Sequence, residues 1–416
     1  MARFSSLGLA ASACLLFSNA VHARPNAPSS KYPPGSSCAQ FTVPVAVSSE
    51  IYYMDTSPRV DNNIECGDYV VDADTWTSPN VTERVTSVGQ LNETFSINAQ
   101  LCVPAKNAGK ENILQVVTHG VGFDMRQVHE LLYWDPDYKP EVYSYIMATL
   151  EAGYSILTYD RLGTGLSDKP DAYDVVQAQV QLQILKVMTE MARSGEISKM
   201  ASSQLDSIPS FTKFVHVGHS FGSILTSALV AKYPDLTDGI SLTGYIIATH
   251  ANHPTGSWGW VLAREADPVK WADRGSGYLS LATLTQFQEA FISSSGGVFD
   301  AGASAFGYDI AQPSPIADFR TGFAIQGLKA TDYKAPIQVA NTSVIILFLL
   351  AEYDFLLCGG NCVNNYNETL LRQVYYPSVS DFNITIQEGA GHGLTLHTNA
   401  RKGYQAQFDF FDKNGL

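Results

Sequence analysis

The sequence has few basic residues, and beyond its N-terminus it has no long apolar run. Lysine and arginine together number 26, against 40 aspartate and glutamate residues, so the formal net charge is −14. Nucleic acid and anionic membranes would repel such a chain, and no cluster of basic residues offsets the repulsion. No apolar run after the N-terminus approaches the roughly 20 residues needed to cross a bilayer. We therefore expect neither a nucleic-acid partner nor a transmembrane segment.

Charged residues of both signs are scarce, whereas apolar residues are plentiful. Only 16% of the 416 residues are charged, and 45% are hydrophobic. This composition excludes a disordered or collagen-like chain and allows a large buried core. The sequence leaves the oligomeric state open.

The first 23 residues have the features of a secretory signal peptide. Arg3 supplies a positive start, residues 7–17 form a short apolar run, and residues 18–20 or 21–23 offer a cleavage site. Five Asn-x-Ser/Thr sequons agree with export, because such sites are glycosylated in secreted proteins. They lie at Asn80, Asn92, Asn341, Asn367 and Asn383. We expect a secreted, extracellular glycoprotein.

Cysteines are few, and their number is odd once a signal peptide is removed. Of the six, Cys14 lies within the predicted signal, which leaves five. In an oxidising compartment, five cysteines predict two disulfides and one free thiol. The short spacing of Cys358 and Cys362 favours a local bridge. The pairing among the other three stays open; they are Cys38, Cys66 and Cys102. No further Cys or His pair stands at zinc-ligand spacing, so no metal site is expected.

The pattern of residues changes along the chain, and each change suggests a boundary. Residues 24–105 comprise a Pro- and Ser-rich leader and then alternating polar and β-branched or aromatic residues, which predict an N-terminal β-rich extension with antiparallel edge strands. Over 106–250, short apolar strands alternate with helical stretches, a pattern typical of βαβ units in a mainly parallel sheet. The alternation breaks over 251–335, which contain three of the five tryptophans, and resumes over 336–416. We interpret 251–335 as a cap or lid inserted into one α/β core.

The sharpest chemical signal is the pattern Gly-x-Ser-x-Gly at residues 218–222. It follows a predicted strand at 214–217 and precedes a predicted helix. At such an elbow, strained backbone exposes the serine hydroxyl above the sheet edge, and the flanking glycines let strand and helix backbones approach closely. The helix N-terminus also directs free N–H groups at a developing oxyanion. Ser220 is therefore the predicted nucleophile.

A serine nucleophile needs a base, and the base needs an acid. His392 is the predicted base, because it stands in a glycine-rich loop after a late predicted strand. His397 is the alternative, but it lies near the start of the final predicted helix, where a surface or capping role is expected. Asp354 is the predicted acid, since it follows the apolar strand 344–350 and would lie at the strand's carboxyl end. Glu352 is the second choice, judged on position alone.

Two backbone N–H groups are needed to bind the oxyanion of an acyl-transfer intermediate. The first is the amide of Phe221, directly after the predicted nucleophile. The second is expected after the first strand of the alternating region, where the chain has His-Gly at 119–120. Val121 is the preferred donor and Gly122 the next candidate, while His119 is expected to order the loop.

In this order the motifs resemble the α/β-hydrolase superfamily. The resemblance is carried by His119-Gly120, Asp160-Arg161-x-Gly163-x-Gly165-x-Ser167, the elbow at 218–222, Asp354, and Gly391-His392. It covers residues 112–412 and implies an α/β-hydrolase fold, with a mostly parallel eight-stranded sheet flanked by helices and an inserted cap. The leader, the sequons and the N-terminal extension are similar to those of secreted fungal members. Ser220 stands where haloalkane dehalogenases and epoxide hydrolases of this fold carry aspartate.

The predicted function is that of a secreted serine hydrolase of the carboxylesterase or lipase type. It would cleave an ester, lactone or related acyl bond of a small apolar substrate, with no metal or organic cofactor. The aromatic-rich cap suggests the apolar group, because ligand pockets are mostly lined by such residues. Two alternatives stay open. One is an acyltransferase or cyclase of a secondary-metabolite pathway that uses the same side chains, and the other is a catalytically inactive, hydrolase-like binding module.

Overall fold

The largest feature of the computed structural model is a sheet of eight strands. The structure describes residues 31–55, 59–75, 84–125, 133–245, 259–292, 297–326, 328–329, 345–358, 360, 362 and 371–416, and every statement below refers to these. In chain order the strands are β1 (Ser37–Met54), β2 (Val85–Val103), β3 (Lys110–Thr118), β4 (Tyr154–Tyr159), β5 (Lys213–His219), β6 (Gly239–Thr243), β7 (Trp260–Leu262), β8 (Tyr278–Leu281), β9 (Ser314–Pro315), β10 (Ile345–Ala351) and β11 (Asp381–Gln387). The helices are α1 (Asn63–Thr75), α2 (Pro140–Tyr143), α3 (Tyr145–Glu151), α4 (Ala178–Ser194), α5 (Glu196–Ala201), α6 (Phe221–Lys232), α7 (Ala263–Ala266), α8 (Leu284–Phe287), α9 (Ala301–Ile310), α10 (Ile316–Ile325), α11 (Phe355–Cys358) and α12 (Ala400–Lys413).

The main sheet is parallel except at one edge. Its strand order is β1-β2-β4-β3-β5-β6-β10-β11. Pairing is parallel from β4 through β11, whereas β1 with β2 and β2 with β4 are antiparallel. Every residue of β4 and all but the first of β5 are buried, as expected where helices cover both faces of a parallel sheet. The predicted α/β-hydrolase architecture, a mostly parallel sheet flanked by helices, is confirmed.

Amphipathic helices cover the sheet on its two faces. On one face α4 presents Leu185, Met188 and Ala192, which are spaced by three and four residues and are all buried. Helix α6 belongs to the same apolar cluster. On the other face α3 and α12 contribute to a second cluster that includes Ile146 and Phe408. The rigid sheet between these layers holds the loops at its carboxyl edge in fixed positions.

The N-terminal region is part of the main sheet. β1 and β2 form a long antiparallel pair at the sheet edge, as the alternating pattern predicted, and β2 also pairs with β4. Helix α1 lies between them in the chain and was not predicted, because its polar, acidic sequence has no clear apolar period. The domain boundaries drawn from the sequence stay a prediction.

The cysteines form two bridges and leave one thiol, as predicted. Cys38 lies opposite Cys102 in the β1–β2 register, and the two are bonded. Cys358 is bonded to Cys362. Cys66 is the free cysteine; its burial raises the pKa of the thiol to about 11, so it stays protonated. The structure thus decides the pairing that the sequence left open.

Between β6 and β10 the chain forms a separate small sheet with helices around it. The described residues 259–292 and 297–326, called the cap segment below, contain β7, β8 and β9 in one antiparallel sheet, together with α7 to α10. α10 packs against α4 and α6 of the core. A Cβ on Gly322 of α10 would lie 3.1 Å from the ring of Phe221, so the cap segment contacts the core at the start of α6.

The predicted signal peptide and glycosylation sites concern the N-terminus and the surface of the chain. Residues 32–416 form one compact unit, and the predicted signal peptide lies outside the described residues. Two sequon asparagines, Asn92 and Asn383, are exposed. The other three lie outside the described residues. Within the described residues, every helix is too short or too polar to cross a membrane.

Candidate active site

Ser220 lies at a strained turn between strand and helix. β5 ends at His219 and α6 begins at Phe221, and Ser220 between them has φ 53° and ψ −117°. L-residues rarely adopt a positive φ, so the surrounding structure must hold this conformation. The Ser220 N–H donates to the carbonyl of Thr243 on β6 at 2.8 Å, which fixes the turn from the neighbouring strand. Ser220 is partly exposed.

The two glycines of the elbow are required by close backbone contacts. A Cβ on Gly218 would lie 2.5 Å from the carbonyl oxygen of Gly222. A Cβ on Gly222 would lie 2.1 Å from the carbonyl oxygen of Thr118, at the end of β3. Both distances are shorter than any real contact. The glycine spacing that singled out Ser220 therefore has a steric cause.

Asp354 and His392 form a buried hydrogen-bonded pair. Asp354 follows β10 and His392 follows β11, and because these strands are parallel neighbours their carboxyl ends meet at one edge of the sheet. His392 Nδ1 lies 2.6 Å from Asp354 Oδ2, and both side chains are 1% exposed. Since an ionised carboxylate only accepts hydrogen bonds, Nδ1 carries the proton and Nε2 is left with its lone pair. This is the tautomer that a general base needs.

His392 lies beside the elbow but makes no hydrogen bond to Ser220. Its ring centroid is 4.9 Å from that of His219, the residue before Ser220. Its Nε2 is buried and has no hydrogen-bond partner in the described part of the chain. Hydrogen bonds between catalytic groups are often long in the absence of substrate and shorten in the complex. The structure thus joins two of the three predicted side chains directly, and the third, Ser220, is adjacent in the chain to His219, whose ring lies beside that of His392.

The two alternative residues have other roles. Glu352 Oε2 accepts from the N–H of Gly389 at 2.8 Å, so it braces the loop before His392 and does not contact the imidazole. His397 is fully buried, and the expectation of a surface or capping role is wrong. Its Nε2 accepts from Gly391 N–H at 2.9 Å and its Nδ1 lies 2.9 Å from Gly393 O. Both ring nitrogens are therefore occupied, and they hold the backbone on either side of His392.

The loop after β3 reaches the nucleophile. A Cβ on Gly120 would lie 2.8 Å from Ser220 Cβ, so the backbone here touches the elbow. Among the described residues, the N–H groups of Val121 and Phe221 have no acceptor. The N–H of Gly122, by contrast, donates to Ser314 Oγ at 2.9 Å. Gly122 as an alternative oxyanion donor is a correction to the sequence prediction, because its amide is already used.

Aromatic rings that sequence reasoning missed surround the site. Tyr133 stacks on His219 with centroids 4.4 Å apart and an interplanar angle of 20°. Phe291 of the cap segment lies 5.9 Å from the His392 ring and 5.1 Å from Phe123. No motif marks these residues in the sequence, since loop and cap aromatics are common. They make the surroundings of the two imidazoles apolar.

The fold and the elbow define an α/β hydrolase. The chain belongs to the alpha/beta hydrolase family, whose model matches residues 115–402. The chain is similar in structure to a bromoperoxidase from Bacillus anthracis, with 17% identity and a TM-score of 0.47 over 77% of this chain and 96% of that one. It is similar to a thermophilic esterase from Thermogutta terrifontis, with 13% identity and a TM-score of 0.48 over 77% and 94% of the two chains. It is also similar to an enol-lactonase from Burkholderia xenovorans LB400, with 13% identity and a TM-score of 0.46 over 76% of this chain and 97% of that one. No curated protein sequence matches significantly.

Proposed function

We propose that the protein is a secreted serine hydrolase that cleaves an ester, lactone or related acyl bond of a small apolar substrate. The observation that carries the proposal is the buried Asp354–His392 hydrogen bond beside a serine at a positive-φ elbow, with no hydrogen-bond partner for His392 Nε2 among the described residues. Membership of the alpha/beta hydrolase family supports hydrolysis as the reaction class.

In the proposed first half-reaction, Ser220 Oγ attacks the carbonyl carbon while His392 Nε2 accepts the hydroxyl proton. The negative charge of Asp354 stabilises the imidazolium that forms. The Val121 and Phe221 N–H groups donate to the oxyanion of the tetrahedral intermediate. When this intermediate collapses, His392 returns the proton to the leaving alcohol, and an acyl group remains on Ser220.

In the second half-reaction, water takes the place of the alcohol. His392 removes a proton from the water as it attacks the acyl carbonyl, and the same N–H groups bind the second oxyanion. Collapse releases the carboxylic acid and returns the proton to Ser220. All proton transfers use one nitrogen, His392 Nε2, which is why its freedom from other partners supports the assignment.

The preference for an apolar substrate rests on the rings near the site. Phe123, Phe287 and Phe291 form one cluster, with centroid distances of 5.0 to 6.3 Å. The cluster reaches the His392 ring through Phe291. Apolar and aromatic side chains of this kind line most small-molecule sites, and they exclude water from the reacting bond.

The test is Ser220→Ala, assayed with short p-nitrophenyl esters and a panel of lactones. Turnover should fall to background while the unfolding transition is unchanged, and a fluorophosphonate should label the natural protein but not the variant. Ser227→Ala removes a hydroxyl from the same helix and serves as the matched control, with activity retained. Activity that survives Ser220→Ala refutes the proposal. A protein that neither turns over esters nor takes the label is a binding module instead.

Acyl transfer uses the same side chains and differs only in the acceptor. Product analysis with added alcohols and amines separates the two reactions, since a transferase would give a new ester or amide in preference to the free acid.

Export of the protein is supported by the leader, by the two cysteine bridges and by the exposed sequons at Asn92 and Asn383. The sequence resemblance to secreted fungal members of the superfamily agrees with export. Expression of the full chain in a secreting eukaryotic host should place the protein in the medium, with an N-terminus near residue 21 or 24. Its mass should fall on endoglycosidase treatment. Intracellular protein that retains Met1 would contradict this part of the proposal.

A further inference from the structure

The loop that carries the proposed oxyanion donor is held by the cap segment on one side. Gly122 donates its N–H to Ser314 Oγ at 2.9 Å and accepts from the Gln312 N–H at 2.7 Å. Ser314 is fully buried and begins β9 of the cap segment. Both polar backbone groups of Gly122 are therefore fixed by residues about 190 positions away in the chain, the separation being 192 for Ser314.

The other side of the loop is held at the carbonyl of Gly120. His119 Nδ1 lies 2.8 Å from Gly120 O, and Arg161 Nη2 donates to the same oxygen at 3.2 Å. The backbone N–H of Arg161 donates to His119 Nε2 at 3.1 Å. His119 therefore carries its proton on Nδ1 and donates it to Gly120 O. Gly120 O belongs to the same planar peptide unit as the Val121 N–H, which points the opposite way in a trans peptide. Two donors on this oxygen therefore fix the direction of the Val121 N–H.

Arg161 connects this peptide to the cap segment. Its guanidinium is 1% exposed, and its Nη2 lies 2.8 Å from Oδ2 of Asp318 on α10, which is also fully buried. The same guanidinium lies over the ring of Phe221, 4.6 Å from the centroid. One buried cation thus contacts the carbonyl of the peptide unit that carries the Val121 N–H and also the ring of Phe221, and its counter-charge comes from the cap segment.

We propose that the cap segment positions the oxyanion hole, with Ser314 acting on Gly122 directly and Asp318 acting on Gly120 through Arg161. These are positioning residues, since none of them touches the reacting atoms. The proposal rests on the serine-hydrolase function proposed above. It adds that binding of the transition state depends on the contacts of Ser314 and Asp318 with the oxyanion loop. Loss of the Ser314 or the Asp318 contact alone should impair catalysis while leaving Ser220, His392 and Asp354 in place.

The first test is Ser314→Ala, which removes one buried oxygen and leaves the Gly122 N–H free to turn. Loss of a whole oxyanion donor lowers kcat by about 10²–10³, so loss of its support should lower kcat by about tenfold. KM should change little, because the substrate ground state carries no oxyanion. A boronic acid that forms a tetrahedral adduct on serine should bind more weakly by the same factor as kcat/KM falls. Tyr308→Phe breaks a hydrogen bond within the cap segment, to the carbonyl of Ala282, without touching the loop, and it should leave kcat unchanged.

A second pair of variants separates positioning from mere folding. In His119→Asn the amide nitrogen occupies the place of Nδ1 and can still donate to Gly120 O. In His119→Gln the amide lies at the place of Nε2, and that donor is lost. The glutamine variant should lose at least tenfold more kcat than the asparagine variant, with similar KM.

The outcomes distinguish this inference from the proposed function. If the natural protein shows no esterase turnover and no fluorophosphonate adduct on Ser220, the proposed function fails, and the inference fails with it. If the natural protein is active but Ser314→Ala keeps its kcat, or if both His119 variants lose equal activity, the positioning role is wrong and the proposed function stands.

Discussion

Asp354→Asn should abolish most catalysis while keeping the fold, because the structure favours one orientation of an amide at this position. Asp354 Oδ2 accepts from His392 Nδ1, and Oδ1 accepts from the Leu357 N–H at 2.9 Å. To keep the bond to Leu357, an asparagine must turn its oxygen that way and point its NH₂ group at His392. His392 must then accept at Nδ1 and hold its proton on Nε2. The proposed mechanism needs Nε2 unprotonated, so that it can accept the proton of Ser220.

The size of the effect follows from what the opposite orientation costs. It would leave the buried Leu357 N–H facing another donor, at a cost of about 1–3 kcal/mol. At 1.4 kcal/mol per factor of ten, between about one molecule in six and one in 140 would keep the useful tautomer. The variant also lacks the negative charge that stabilises the imidazolium. Together these effects should lower kcat by about 10³–10⁴.

The assay is kcat for a short p-nitrophenyl ester, with urea denaturation to establish that the variant folds. Glu352→Gln is the matched control, since a glutamine oxygen can still accept from Gly389 N–H and the side chain does not contact His392. It should keep most of its activity. The reasoning is refuted if Asp354→Asn keeps more than about a tenth of kcat. Equal losses in the two variants would show that Glu352 shares the role of the acid.

Three further predictions concern stability. Gly222→Ala should lower the free energy of unfolding, measured in urea, by about 3 kcal/mol or more, because its Cβ would lie 2.1 Å from Thr118 O. Gly275→Ala is the control and should be nearly neutral, since its Cβ would have nothing within 4 Å. The double variant Cys38→Ala/Cys102→Ala, which opens a bridge between residues 64 apart, should lose about 4 kcal/mol, and an unchanged urea midpoint would contradict this. The hydrogen bond from Lys139 lowers the pKa of Asp300 from 3.8 to about 2, so this carboxylate should stabilise the fold above pH 4 and lose that effect as the pH falls through 2. The difference in free energy of unfolding between the natural protein and Asp300→Asn should vanish as the pH falls from 4 to 2. A difference that stays constant over this range would show that the charge is not involved.

The fold and the candidate triad could be predicted because their signals are local. The elbow at 218–222 is set by contacts within five residues and by the ends of the two neighbouring strands β3 and β6, so its glycines appear in the sequence as a short pattern. Asp354 and His392 could be proposed because each follows a predicted strand, and the ends of parallel strands lie at one edge. The alternation of strands and helices predicted the sheet for the same reason.

Other features escaped prediction because distant parts of the chain decide them. Cys38 pairs with Cys102 through the register of β1 against β2, and no local pattern distinguishes this choice from Cys66. His397 precedes the final helix, as predicted, but its burial comes from the loop around His392 and from the cap segment, where its Nε2 also lies 3.2 Å from Ile292 O. A sequence position at a helix start does not reveal such surroundings.

The choice between Val121 and Gly122 is another feature that distant residues decide and local sequence does not. Both amides follow His-Gly, and local sequence ranks them only by position. The structure distinguishes them through Ser314, whose hydroxyl takes the Gly122 N–H and leaves that of Val121 without an acceptor in the described residues. A residue in the cap segment therefore occupies one of the two loop amides that the sequence offered for the proposed oxyanion hole. On the proposed mechanism, substitutions at Ser314 should change the rate of the chemical step as well as the packing of the cap segment.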